Sequence, residues 1–196
     1  MSLADRITLL RIILSPVFFT VYMLLLRFQD ELRAFTVWVV VLLWIIAVIA
    51  EFTDLFDGLA ARQKKEVSDF GKYFDPFADT IFQITGFLCF VVEGIFPVAL
   101  YLLVIYREFG ILFLRNLMQR KGITMGARKS GKIKTATYIT AAAIALFYMS
   151  LIRLNSLESL QEPVKTAAVT VFCISVGISV ISFFDYFSVY RKANKT

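Results

Sequence analysis

The sequence has no histidine, and only two cysteines and four prolines among 196 residues. Without an imidazole there is no histidine general base and no His-ligated zinc site. Proton transfer then falls to carboxylates, lysine, tyrosine or a bound metal. The cysteines, Cys89 and Cys173, each lie inside an apolar run and read as small core residues, with neither disulfide nor metal chemistry. Charge is also scarce, at 18% of residues against 59% apolar, and a water-soluble domain of this size does not carry so much apolar surface. Mean hydropathy is +0.74. No soluble basic module exists to turn the net charge of +6 toward nucleic acid. A cleavable signal peptide is not evident either: Met1 to Arg6 is short and polar, and the apolar run after it contains Arg11 and Pro16 without a small-residue cleavage site.

What is present is a set of long apolar runs. A spanning helix needs about 20 apolar residues. Six stretches come close, at 8–27, 35–56, 73–93, 95–117, 135–153 and 166–189. The expectation is an all-α membrane protein with six transmembrane helices in a single membrane domain, residues 1–196. Connections are short, and Glu93-Gly94 followed by Pro97 reads as a tight turn. Six spans put both termini on one side. Of the 21 basic residues, 17 fall on that side, and Arg27, Arg33, Arg153 and Lys165 fall on the other. The positive-inside rule makes the richer side cytoplasmic.

The end of the second run and the start of the third read TDLFDGLAARQKKEVSDFGKYFDPFADT. Asp54 and Asp57 are three apart, and Asp75 and Asp79 are four apart, so each pair shares one helical face. If the two helices return side by side through the Gly58–Lys72 stretch, four carboxylates converge. Four like charges at a membrane edge need compensating cations. Two divalent ions supply that charge, and all-oxygen ligation suits Mg²⁺ or Mn²⁺. Paired metals suit phosphoryl-type displacement. Gly58 gives backbone access to a ligand, Ala61 leaves room for a flat group such as a base, and Arg62 can grip a diphosphate. Helix capping and pairing with Lys64, Lys65 and Lys72 explains neither the number of acids nor their spacing.

The run Asp54, Asp57-Gly58, Ala61-Arg62, Gly71, Asp75, Asp79 resembles the signature of the CDP-alcohol phosphatidyltransferases, and the six-span layout extends the resemblance over the whole chain. The resemblance implies that a CDP-linked lipid binds with cytidine near Gly58 and Ala61 and diphosphate on the metals and Arg62. It implies Asp54, Asp57 and Asp75 as metal ligands, and Asp79 as general base and second-metal contact. Asp57 and Gly71 belong to the CDP-lipid set, and homodimers are common in the family.

The acceptor alcohol must be read elsewhere. The region YREFGILFLRNLMQRKGITMGARKSGKIKT is rich in cations. Arg107 and Arg115 are eight apart, so both can face one pocket. Lys132 and Lys134 follow Gly131 at a helix start, a setting suited to phosphate. An acceptor carrying its own phosphate would use such a site. Arg107-Glu108-Phe109, Arg115 and Gly131 to Thr135, with Thr8 to Arg11 and Pro16, resemble the bacterial phosphatidylglycerolphosphate synthases. That subfamily joins CDP-diacylglycerol to glycerol 3-phosphate and releases CMP. The resemblance implies an active site facing the cytoplasm at the inner membrane. Another family member using inositol phosphate, serine or a second lipid is the nearest rival. A metal-ion transporter is the alternative from a different class, but transport sites lie near the midplane on broken helices, away from a positive loop.

Overall fold

The computed structural model describes the backbone of residues 3–29, 31, 33–64, 69–120 and 129–193, and the side chains of 8–29, 31, 33–53, 74–120 and 131–191. Its regular structure among these residues is helical: α1 (Leu3–Arg27), α2 (Thr36–Lys64) after a short 3-10 turn (Arg33–Phe35), α3 (Asp69–Val92), α4 (Val98–Arg120), α5 (Lys129–Arg153) and α6 (Glu158–Ala193). All six expected runs are thus helices, and several overrun the apolar window that announced them. Helix α2 continues through Gly58 to Lys64, where the sequence suggested a returning stretch from Gly58 onward. Helix α6 begins eight residues before position 166 and takes Pro163 in its opening turns. Helices need not stop where apolarity stops, because each further residue adds a backbone hydrogen bond once the nucleus exists.

Among the described residues, five helices are long and apolar enough to cross a membrane. The sixth, α4, has comparable length but carries Arg107, Glu108 and Arg115. Large apolar side chains point outward along the spans, among them Ile13 and Leu24 on α1, Trp38 and Ile45 on α2, and Ile181 and Phe184 on α6. Such surfaces suit lipid and are costly in water. Cys89 is buried, as expected, but Cys173 is exposed; both are free thiols. Apolar context cannot separate the two outcomes, since in a membrane helix the outer face is as apolar as the core.

The chain divides into two compact units, the first holding residues 1–93 and 152–156, the second 94–151 and 157–196. In the first, α1 packs against both α2 and α3. Phe18 meets Phe82 at 6.0 Å between ring centroids, and Tyr22 meets Phe90 edge-on at 5.8 Å. Leu43 and Ile46 of α2 and Ala78 and Phe87 of α3 complete this core. Polar contacts close the unit at both ends. Thr8 and Arg11 reach Asp75 at one end. Tyr22 and Arg153 reach Glu93 at the other. Asp75 and Glu93 are separated by roughly 27 Å at the helical rise, close to the thickness of a hydrocarbon core.

In the second unit α4 packs on α6. A Cβ on Gly110 would lie 2.8 Å from Phe183 Cε2, so only glycine lets that ring cross α4 as it does. Phe96 stacks on Phe172 with centroids 4.0 Å apart. Small residues line the interior of α5 and α6, including Ala141, Ala145, Ala168, Ser175 and Ser182, and allow the close helix approach usual in membranes. Gly94, between α3 and α4, has φ +77°, a conformation that glycine adopts without strain, in line with the turn read at Glu93-Gly94.

Candidate active site

The first polar centre lies at the start of α3. Asp75 and Asp79 are one turn apart and present their carboxylates on the same helical face. Both accept from the guanidinium of Arg11 on α1. Thr8, one turn before Arg11, donates to Asp75 Oδ1 at 3.3 Å. The Arg11 side chain is 2% exposed, whereas those of Asp75 and Asp79 are 40% and 44% exposed. The arginine is therefore built into the core, while the carboxylates open outward. Local sequence explains the geometry: Ser15 Oγ donates to the Arg11 carbonyl at 2.9 Å, one turn ahead of Pro16. On α3, Thr80 Oγ1 donates to the Pro76 carbonyl at 2.8 Å, between the two aspartates.

Asp54, Asp57, Gly58, Ala61 and Arg62 lie on the helical backbone of α2 and Gly71 on that of α3, but their side-chain environments are outside the described residues. Among the described residues no group of three or more metal-ligating side chains assembles; of the four expected ligands only Asp75 and Asp79 are in that set. These two fit a hard divalent cation: both are oxygen-donor anions, they point to a common place, and that place already attracts positive charge from Arg11. Sequence reading counted Arg11 among topology-setting charges. The signal that singles it out is an arginine inside an apolar span, which is seldom without function.

The second centre lies within the other unit. Arg107 and Glu108 on α4 and Lys134 on α5 form a buried ionic triad. Arg107 Nη1 donates to both Glu108 oxygens at 2.9 Å, and Lys134 Nζ donates to Glu108 Oε1 at 2.9 Å. Helix α6 fixes the arginine further: Nε donates to the Ser179 carbonyl at 3.2 Å and Nη2 to Ser182 Oγ at 3.2 Å. The ammonium of Lys134 also sits 4.7 Å from the Tyr138 ring centroid. Arg115 lies two turns along α4 from Arg107. Its guanidinium lies over the Tyr186 ring at 5.6 Å and donates weakly to the Tyr186 hydroxyl at 3.5 Å. Its Nε is buried and has no hydrogen-bond partner among the described residues. Such an unmet donor is costly unless a ligand meets it.

The structure thus joins Arg107 and Lys134 through Glu108, sets Arg115 against Tyr186 two turns along α4, and leaves Lys132 on the exposed side of α5. Glu108 is the residue that sequence reading undervalued. It joins Arg107 and Lys134 through one carboxylate. Arg107 and Lys134 share a single carboxylate, and Arg115 adds a third basic side chain on α4.

Charged groups packed inside apolar helices define the chain as a membrane-embedded functional protein. The family profile of CDP-alcohol phosphatidyltransferases matches residues 1–181. A Treponema pallidum protein named CDP-diacylglycerol--glycerol-3-phosphate 3-phosphatidyltransferase is 34% identical over 97% of this chain and 89% of its own length. A Bacillus subtilis protein of the same name is 31% identical over the whole of this chain and 98% of its own. The chain belongs to the CDP-alcohol phosphatidyltransferase family, as its aspartate motif indicated, and is an enzyme of phospholipid synthesis.

Proposed function

We propose that this enzyme transfers the phosphatidyl group of CDP-diacylglycerol to glycerol 3-phosphate, forming phosphatidylglycerol phosphate and releasing CMP. The observation that carries the choice of acceptor is the concentration of basic side chains here: Arg107 and Lys134 share one carboxylate, and Arg115, with its unmet Nε, lies two turns further along α4. A phosphate monoester carries close to two negative charges at neutral pH and accepts several hydrogen bonds. An uncharged alcohol brings these side chains no counter-charge. The relatives named above carry the same activity in their names.

In this reading Asp54, Asp57 and Asp75 hold two divalent ions, Mg²⁺ or Mn²⁺, and Asp79 shares the second. Bound there, the ions supply charge neutralisation for the diphosphate and a more acidic acceptor hydroxyl. Gly58, Ala61, Arg62 and Gly71 form the seat of the CDP moiety. Arg115 and Lys134, with Arg107 behind them and Lys132 at the rim, take the acceptor phosphate. The acceptor oxygen attacks the lipid-side phosphorus, Asp79 takes its proton, and the bond from that phosphorus to the CMP oxygen breaks. The chain crosses the inner membrane six times as one domain with both termini in the cytoplasm, and it works as a homodimer. Helix α4 counts as the sixth span in this reading, since a triad that neutralises itself in part lowers the cost of carrying charge across lipid.

Acceptor choice is tested by CMP release from CDP-diacylglycerol with glycerol 3-phosphate, inositol phosphate and serine compared side by side. Glycerol 3-phosphate should be the best acceptor and serine inert. Inositol phosphate meets the charge argument equally well, so its preference over glycerol 3-phosphate would keep the anion site and change the product. No CMP release with glycerol 3-phosphate would overturn the proposal.

The metal assignment has a test that does not require turnover. Arg11 stands in part for the positive charge that the aspartates need. Arg11→Gln should lower the thermal stability of the metal-free protein, because two carboxylates one turn apart then repel. Saturating Mg²⁺ should raise the melting temperature of the variant more than that of the wild type. Equal increments would argue that ions and Arg11 do not share these carboxylates.

A further inference from the structure

The charge asymmetry leaves four basic residues on the side away from the aspartates, and two of them line one cavity. This cavity, about 420 Å³, lies in the first unit and is lined by Gln29, Arg33, Thr36, Arg153 and Asn155, with Val37 and Leu154. Among the described residues that line it, none is acidic. Three elements build it. Gln29 follows the end of α1; Thr36 and Val37 open α2; and Arg153 to Asn155 close α5.

Each part favours an anion. The first turn of α2 contains no acidic residue, so its positive dipole end is not offset by a carboxylate from within the helix. Arg153 is fixed in place, donating to Gln29 Oε1 and to Glu93. Glu93, which is not among the described lining residues, also accepts from the Tyr22 hydroxyl. That carboxylate offsets Arg153, and Arg33 adds a second positive charge to the described lining. Asn155 holds φ +50°, a left-handed conformation that asparagine tolerates better than most residues. It places an amide on the cavity wall.

The surroundings decide what kind of anion. Val37 and Leu154 on the lining are exposed, and so are Phe35 and Trp38 beside it. Aromatic residues next to cations at a helix end mark the interface between headgroups and acyl chains. The cavity is roughly 27 Å along the helices from Asp75, so its interface is that of the opposite leaflet. We propose that it binds the phosphate of an anionic lipid headgroup in that leaflet, with the acyl chains lying against Val37, Leu154 and Trp38. A bound lipid would tie the ends of α1, α2 and α5 together. The site is separate from the catalytic one and does not depend on the acceptor assigned above.

The test uses the full-length protein in detergent, with phosphatidylglycerol, phosphatidylcholine and inorganic phosphate as probes. Lipid adducts are read by native mass spectrometry and melting temperature by thermal unfolding. Wild type should retain phosphatidylglycerol over phosphatidylcholine and melt higher with it. Arg33→Gln should weaken that retention about tenfold, the usual loss for one charge-assisted hydrogen bond. Arg153→Gln would also strip Glu93 of a buried partner, so the exposed Arg33 carries the test. Retention by Arg33→Gln equal to wild type would overturn the site. A full stabilising shift from millimolar inorganic phosphate alone would overturn the lipid assignment in favour of a free anion.

Discussion

Asp79→Asn should lower kcat by about 10²–10⁴-fold, the range for loss of a positioned general base, while CDP-lipid binding stays close to wild type. The amide keeps the size and shape of the side chain but cannot take the proton of the acceptor hydroxyl. The local structure should survive, because Arg11 keeps its other anchor: Asp75 accepts from both Arg11 and Thr8. Asp75→Asn makes the contrast. It removes the carboxylate on which both α1 contacts converge, so loss of CDP-lipid binding should accompany loss of turnover there. Initial rates of CMP release, paired with a direct CDP-lipid binding measurement on each variant, separate the two patterns. Turnover near wild type in Asp79→Asn would remove Asp79 from the role of base. Binding lost equally in both variants would make it a ligand and nothing more.

How much of this could be read beforehand differs between the two centres. The family was legible because its motif is local: eight positions at set spacing carry the resemblance, and a spacing of four puts Asp75 and Asp79 on one helical face. The helices were legible in number from apolar length alone. Their ends were not, since α2 runs on through Gly58 to Lys64 on backbone hydrogen bonds that hydropathy does not record. Arg11 was visible as a residue but not as a partner. It meets Asp75 across 64 positions, and only the packing of α1 on α3 makes them neighbours. The same holds for Glu108, which reaches Lys134 across 26 positions. Adjacency in sequence hinted at Arg107 and concealed the lysine. Contacts of this kind depend on which helix faces meet, and in a lipid-exposed chain apolar patterning marks those faces poorly, since outside and inside are both apolar. Cys173 shows the same ambiguity from the other side.

Glu108→Ala should destabilise the protein by about 3–5 kcal/mol, the usual cost of breaking a buried ion pair by removing one partner. Here one carboxylate serves two cations, so the truncation leaves Arg107 and Lys134 buried without the carboxylate they share. Arg107 would keep its bonds to Ser179 and Ser182, which do not neutralise it. Glu108→Gln should fall between, because the amide oxygen can still accept from one cation but carries no charge. The defect has a chemical signature that ordinary cavity formation lacks. An anion that enters the cluster would replace the missing carboxylate, so glycerol 3-phosphate should raise the melting temperature of Glu108→Gln more than that of wild type. Mass action sets the scale: a ligand at 100 times its dissociation constant adds about 2.7 kcal/mol. Thermal unfolding with and without glycerol 3-phosphate reads this directly, with glycerol as the uncharged control. A variant that is destabilised yet gains no more than wild type from glycerol 3-phosphate would mean that the triad is structural and that the acceptor phosphate binds elsewhere. A larger gain would show that Glu108 holds the cations in waiting, restraining their charge until the acceptor arrives to share it.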